Sequence, residues 1–315
     1  MKKLTTALLA LLLLASCATN TPAPPVATPT PTAPATATPT PTAAPAPTPT
    51  PAPLFTADEF PRLDGSTATI PLGEAAAALL LGISRADAAA YSAGFTGTNK
   101  SVVALADGNT DVLIVYEPPK DTLEQYGKNL EFAPIGRDAL VFLVNAANPV
   151  SSLTTEQLLD IYTGKTTDWA ALGGNSGEIL AYQRNETSGS QTLMRRLVMG
   201  DAELVAAPAE LVVTEMGGLI AAVASFDNSS RAIGYNVYYY VTEMKSDPNI
   251  KILSVDGVEA TPETIGSGAY PFTNDFYAAI RKDEPADSPA RRLFDWLRGR
   301  DAKELMEREG YVSIP

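Results

Sequence analysis

Arg184-Asn185-Glu186-Thr187-Ser188-Gly189-Ser190-Gln191 sets one guanidinium and several small hydroxyls directly ahead of a stretch with helical periodicity. Leu193, Met194, Leu197 and Val198 recur at the spacing of one helix face, and Gly200 supplies a stop. The first backbone N–H groups of a helix have no intrahelical partner and carry the positive end of its dipole, so an oxyanion is stabilised against them. Gly189 has no Cβ to hold such an anion away. A plain capping box, with Ser188 as N-cap and Gln191 at N3, would satisfy the same pattern while binding nothing.

Two further clusters of the same kind precede helical stretches, Gly65-Ser66-Thr67-Ala68-Thr69 and Thr96-Gly97-Thr98-Asn99. One such cluster is ordinary capping. Three of them, joined by Arg184 and spread along the chain, fit a tetrahedral oxyanion, whose four oxygens need many donors; hydroxyls and a guanidinium fork supply them.

Composition narrows the chemistry. The 315 residues contain no histidine and one cysteine. That removes Ser-His-Asp and Cys-His catalysis and His-ligated metal sites together. A hydrolase built on Ser188 or Ser190 has no histidine base and no Gly-x-Ser-x-Gly elbow around either serine, so no enzyme activity, metal or cofactor is expected. A net charge of −13 argues against nucleic acid as a partner. It also makes anion recognition a local matter of Arg184 and oriented dipoles.

The N-terminal region reads as export and attachment. Met1-Lys2-Lys3 and the apolar run Leu8 to Leu14 form a secretory signal, too short to span a bilayer, and Leu14-Ala15-Ser16-Cys17 looks like a lipobox that makes Cys17 a lipidated N-terminus. Residues 18–53 are Thr, Pro and Ala almost throughout. They cannot bury a core; as polyproline-like chain they would reach on the order of 100 Å and hold the folded part off a membrane.

From Leu54 onward, strand and helix patterns alternate, which predicts an α/β protein with largely parallel sheets in two lobes. A strand around Ala68 to Ile70 leads into a helix over 72–81 with Pro71 at its start; a second helix covers 99–106; Asp111 to Tyr116 and Leu140 to Val144 are buried strands. Thr154 and Gln157 form a capping box for a helix ending near Gly164, and Trp169 is a buried plug. Helices over 217–223, from Pro289 and from Asp301, with strands at 179–182, 233–235 and 276–280, complete the pattern. Tyr238-Tyr239-Tyr240 reads as packing rings on alternating strand faces.

Several of these segments, in order, resemble the phosphate-binding lipoproteins of ABC phosphate importers: Asp64 to Pro71, Asn148 to Thr154, Asp160 to Lys165 with Thr167-Asp168-Trp169, Arg184 to Gln191, and Ala232 to Tyr235. The resemblance implies a type II periplasmic-binding-protein fold, two α/β lobes joined by two crossover strands and closing on phosphate, with residues 54–144 and 268–315 in lobe I and 145–267 in lobe II. It implies phosphate contacts from Arg184, Ser188, Gly189 and Ser190, from Thr98, and from Ser66 with Thr67 or Thr69, and it makes Glu186 the carboxylate that orients the arginine. The resemblance implies an aspartate that accepts a hydrogen bond from protonated phosphate, and Tyr116 stands in its place. Either Glu117, one residue on, swings into the cleft or the Tyr116 hydroxyl takes over. The implied partners are phosphate or a similar oxyanion, a membrane permease and, through Cys17, the membrane, with the protein a monomer. An alternative keeps the fold for a sensory or surface-interaction lipoprotein with altered phosphate specificity.

Overall fold

The computed structural model describes residues 53–225 and 230–314; Cys17 and nearly all of the tether lie outside them. The chain opens with β1 (Leu63–Gly65), a 3-10 turn at Thr67–Thr69, α1 (Ile70–Leu81) and a short α2 (Arg85–Ala88). Then come α3 (Thr98–Ala106), β2 (Val112–Tyr116), α4 (Lys120–Tyr126) and the sixteen-residue β3 (Leu130–Asn145). β4 (Ser152–Leu153), α5 (Thr155–Tyr162), β5 (Leu180–Ala181) and β6 (Gln183–Arg184) lead to α6 (Gly189–Leu193), which runs on as a π-helix over Met194–Met199. After β7 (Val212–Val213), α7 (Met216–Ala224) and β8 (Ala232–Val237) come β9 (Ile250–Ile252), β10 (Ser254–Val255) and α8 (Pro262–Gly266). The chain finishes with β11 (Thr273–Arg281), α9 (Pro289–Leu297), α10 (Arg300–Arg308) and β12 (Val312–Ser313).

β3 organises the molecule. Its first part pairs with β11 and β12, and from Leu140 onward it pairs instead with β8 and β9. One strand is thereby shared by two sheets, β1-β2-β11-β3 on one side and β3-β8-β5 on the other. The change of partner falls at Ala139 and Leu140, inside an unbroken run of buried residues. These are the two α/β lobes, and β3 and β11 both run antiparallel to their neighbours. Largely parallel sheets were expected. Among the described residues, parallel pairing is confined to β1 with β2, β5 with β8 and two short two-stranded pairs, because the two longest strands, β3 and β11, pair antiparallel with every neighbour.

Local chemistry accounts for most elements. Val112 to Tyr116 is buried at every position, as a strand covered on both faces must be. Thr154 accepts from the Gln157 amide while Gln157 reaches back to the Thr154 amide, so the capping box forms as expected. Trp169 is fully buried and donates its ring N–H to the Arg231 carbonyl at 2.8 Å, which marks it as a structural plug.

Two local expectations fail. Ala68 to Ile70 is a 3-10 turn entering α1, and the strand is Leu63–Gly65; the Cβ-free Gly65 lets that strand approach Ile114, whose carbonyl oxygen a Cβ would meet at 2.0 Å. Tyr238 to Tyr240 leaves the strand and enters a π-helical turn over Tyr240–Met244, with Tyr239 stacked on Tyr311 at 3.6 Å between ring centroids. The rings pack as expected, through a turn and not through alternation.

At the crossover, Asp138 is almost wholly buried. Its carboxylate accepts from the amides of Ala139 (2.7 Å) and Tyr239 (3.2 Å) and from the Tyr116 hydroxyl. Burial raises its pKa to about 6, against the lowering effect of those hydrogen bonds. The folded chain therefore holds a proton that the unfolded chain releases near pH 4. The contribution to stability is present below that pH and is lost as pH rises through about 6, to a total of roughly 3 kcal/mol. Thermal melts of Asp138→Asn should thus gain on wild type steadily between pH 4 and pH 7; a difference in Tm that stays constant over this window refutes the assignment.

Candidate functional site

The three helix mouths meet at one cleft of about 280 Å³ between the lobes. Ser66, Thr67 and Ala68 come from the entry to α1, Thr96 to Lys100 from the entry to α3, and Thr187 to Ser190 from the entry to α6; Arg184, Asn185, Thr214, Met216 and Val237 complete the far wall. Each mouth is held by hydrogen bonds within the protein. Asp64 accepts from the Gly65 and Thr96 amides and from the Thr96 hydroxyl, each at 2.7 Å, and so fixes the second mouth to β1. Gly97 sits at φ 92°, in the left-handed region, where an L side chain is strained. Its amide donates to the Gly65 carbonyl at 3.0 Å, which ties the first two mouths together.

At the third mouth, Ser188 caps α6 by accepting from the Gln191 amide at 3.2 Å. The reciprocal half of a capping box is absent there, because the Gln191 side chain turns the other way and accepts from the Arg184 amide (3.3 Å) and from the Tyr235 hydroxyl. Tyr235 also accepts from the Arg184 amide, at 3.1 Å. Gln191 and Tyr235 are thus spent on the backbone that carries the arginine.

Arg184 is 5% exposed. Its Nε donates to the Val213 carbonyl at 3.0 Å, one terminal nitrogen to the Thr214 carbonyl at 2.9 Å and the other to Ser190 Oγ at 3.3 Å. No carboxylate among the described residues forms an ion pair with it. Burial lowers its pKa, the expected response of a cation that lacks a counter-ion.

Several expected contacts are corrected. Glu186 does not orient Arg184: it is paired with Arg195 at 2.8 Å, and the backbone carbonyls of Val213 and Thr214 hold Arg184 instead. Thr69 is fully buried and donates to the carbonyls of Ser66 (2.8 Å) and Ile114 (2.6 Å), so it braces the first mouth, and Thr67 is the threonine on the cleft wall. Glu117 does not swing inward; it pairs with Arg196. Tyr116 lines the cleft, but its hydroxyl is given to Asp138. Ser66, Thr67, Thr98, Arg184, Ser188, Gly189 and Ser190 do line it.

Sequence reasoning missed Asp64 and the Gln191–Tyr235 pair, whose roles depend on backbone partners. It also missed Lys100, and gave no role to Asn99 and Asn185 within the motifs it marked. The side-chain oxygens of Asn99 and Asn185 are buried without a hydrogen-bond partner among the described residues. The signal for Lys100 was its place one turn into a helix whose mouth was already marked.

A model of the PBP superfamily domain matches residues 65–298. The chain belongs to that superfamily, as a PstS-like member with the two-lobed fold described above. It is 27% identical over 259 residues to the phosphate-binding protein PstS of Bacillus subtilis, covering 80% of each chain. Over 232 residues it is 23% identical to the PstS of Borreliella burgdorferi, covering 72% of this chain and 78% of that one. In structure it resembles an ABC-type phosphate transport receptor from Vibrio cholerae, with a TM-score of 0.62 and 23% identity over 80% of this chain and 99% of that one. A putative phosphate ABC transporter substrate-binding protein from Clostridium perfringens with bound phosphate gives the same TM-score at 24% identity, over 80% of this chain and 98% of the other. These relatives are binding proteins and receptors, not enzymes.

Gly189 of the third mouth lies against Thr98 of the second, where an added Cβ would lie 2.8 Å from Thr98 Oγ1. Gly189→Ala should therefore fold normally and lose at least about tenfold in anion affinity by calorimetry, since a methyl in that gap either opens the lobes or displaces a donor. Unchanged affinity would show that the gap is not part of the binding geometry.

Proposed function

We propose that this protein captures inorganic phosphate outside the cytoplasm and delivers it to an ABC importer in the membrane. The observation that carries the reading is Arg184, a guanidinium sealed into the cleft without a carboxylate partner and surrounded by three helix mouths and their hydroxyls. A buried charge left unpaired is costly, and a dehydrated anion in the cleft supplies the missing counter-charge. The PstS names of its relatives point to phosphate as that anion. In this reading Ser66, Thr67, Thr98, Arg184, Ser188, Gly189 and Ser190 contact the ligand. Lobe I is formed by 54–144 and 268–315 and lobe II by 145–267, to within the length of the crossover strands.

Titration calorimetry of ligand-stripped protein should give heat with phosphate and an affinity in the micromolar range or better, and Arg184→Met should weaken it at least about a hundredfold. No heat with phosphate refutes the proposal. Attachment through Cys17 belongs to the same reading, with the Thr/Pro/Ala tether spacing the lobes from the membrane. Cys17→Ser should move the protein from the membrane fraction to the soluble one, and retention in the membrane fraction removes the lipid anchor.

A second reading is favoured by one observation. Glu117 is engaged by Arg196 and Tyr116 by Asp138, so among the described residues no carboxylate lines the cleft to accept a hydrogen bond from protonated phosphate or to repel a fully ionised anion. The fold would then serve a receptor of broader oxyanion specificity. Sulfate competing with phosphate at comparable concentration supports this version; exclusion of sulfate removes it.

A further inference from the structure

Arg195 and Arg196 are adjacent on the helical stretch that follows the third mouth, yet they serve different lobes. Arg195 stays within its own, paired with Glu186. Arg196 reaches across the cleft to Glu117, at the end of β2, and to the side-chain oxygen of Asn274, at the start of β11. It does so from the π-helical segment Met194–Met199, and such segments are frequent where a side chain must leave the ordinary helical register for a function. None of Arg196, Glu117 and Asn274 lines the cleft.

We propose that Arg196, with Glu117 and Asn274 as its acceptors, is a clasp: a set of positioning residues that holds the two lobes closed without touching the ligand. The bonds span lobe II and the β2 and β11 ends of lobe I, so opening the cleft must break them, while the bonds within each mouth survive opening. Closure is then favoured in part before any anion enters. The clasp lowers the share of binding free energy that the ligand must spend on closing the lobes and slows its release. This also explains why Glu117 stands one residue beyond the cleft wall: its carboxylate is used between the lobes. The inference rests on closure of the lobes about an anion, and its test separates the two ideas.

The test uses the full chain with spin labels at Lys128→Cys and Glu203→Cys, exposed positions on opposite lobes, in a Cys17→Ser background. Glu117→Gln and Arg196→Gln should each lengthen the inter-lobe distance in the absence of ligand. Each should also speed phosphate dissociation roughly two- to fivefold, the range for a partly exposed ion pair. The double variant should be no worse than Arg196→Gln alone, since that change already removes the contact with Glu117 as well as the one with Asn274. The reversed pair, Glu117→Arg with Arg196→Glu, should recover part of the loss, a rescue that a merely structural role would not give. If either readout is unchanged in both single variants, the clasp is overturned. Should phosphate give no heat with wild type, the ligand-free distance decides the clasp by itself.

Discussion

The structure depends on one unbalanced charge. Arg184 is buried, held by two backbone carbonyls and a serine hydroxyl, and left without a carboxylate partner among the described residues. Carbonyl and hydroxyl partners satisfy its N–H groups without cancelling its charge. A positive centre of that kind persists only because the surrounding framework holds it, through Gln191 and Tyr235 on its backbone and β7 against its side chain. The same framework must then present the charge to something. With 36 acidic residues in the chain, leaving this cation unneutralised is a selective feature of the site. The overall field opposes an incoming anion, so the affinity has to come from short-range contacts inside the cleft.

Those contacts are arranged so that little has to move within a lobe when an anion enters. Helix ends offer amides already pointing outward, and each mouth is tied down by bonds unrelated to the ligand: Asp64 for the second, Thr69 for the first, the Ser188 cap for the third. Preorganised donors of this type are effective because their ordering cost is met by folding and not by binding. The two sheets meet along β3, which pairs with β11 and β12 on one side and with β8 and β9 on the other.

How much of this was legible in the sequence divides along the range of the interactions involved. The three mouths, the arginine and the cap residues are local patterns, and they were found because Ser, Thr and Gly before a helical run have a short-range meaning. The Thr154 box and the Trp169 plug were found for the same reason. The partners of Glu186, Glu117 and Tyr116 were not, because each choice is made by a residue distant in the fold. Arg195 is nine positions from Glu186, Arg196 is 79 from Glu117, and Asp138 is 22 from Tyr116. A carboxylate beside an arginine in sequence says little about which arginine it meets in space. The mixed direction of the sheets was hidden similarly, since an apolar run looks the same whether its neighbour is parallel or antiparallel.

The hydroxyls of the first two mouths carry a last consequence. Ser66 Oγ accepts the Tyr116 amide at 3.0 Å and lies 2.8 Å from Thr98 Oγ1, with both residues nearly buried. A hydroxyl has one proton to give. With the Tyr116 amide filling one lone pair of Ser66, the arrangement that serves an anion has Ser66 donate to Thr98 and Thr98 direct its own proton into the cleft. The backbone N–H at the end of β2 then polarises two hydroxyls in series, which strengthens the terminal donor. Tyr116 thus contributes through its main chain and not its ring, at the position where the resemblance implies an acidic group. The ring is free to bind Asp138 at the crossover, so the same residue joins the donor chain of the cleft to the strand that the two sheets share.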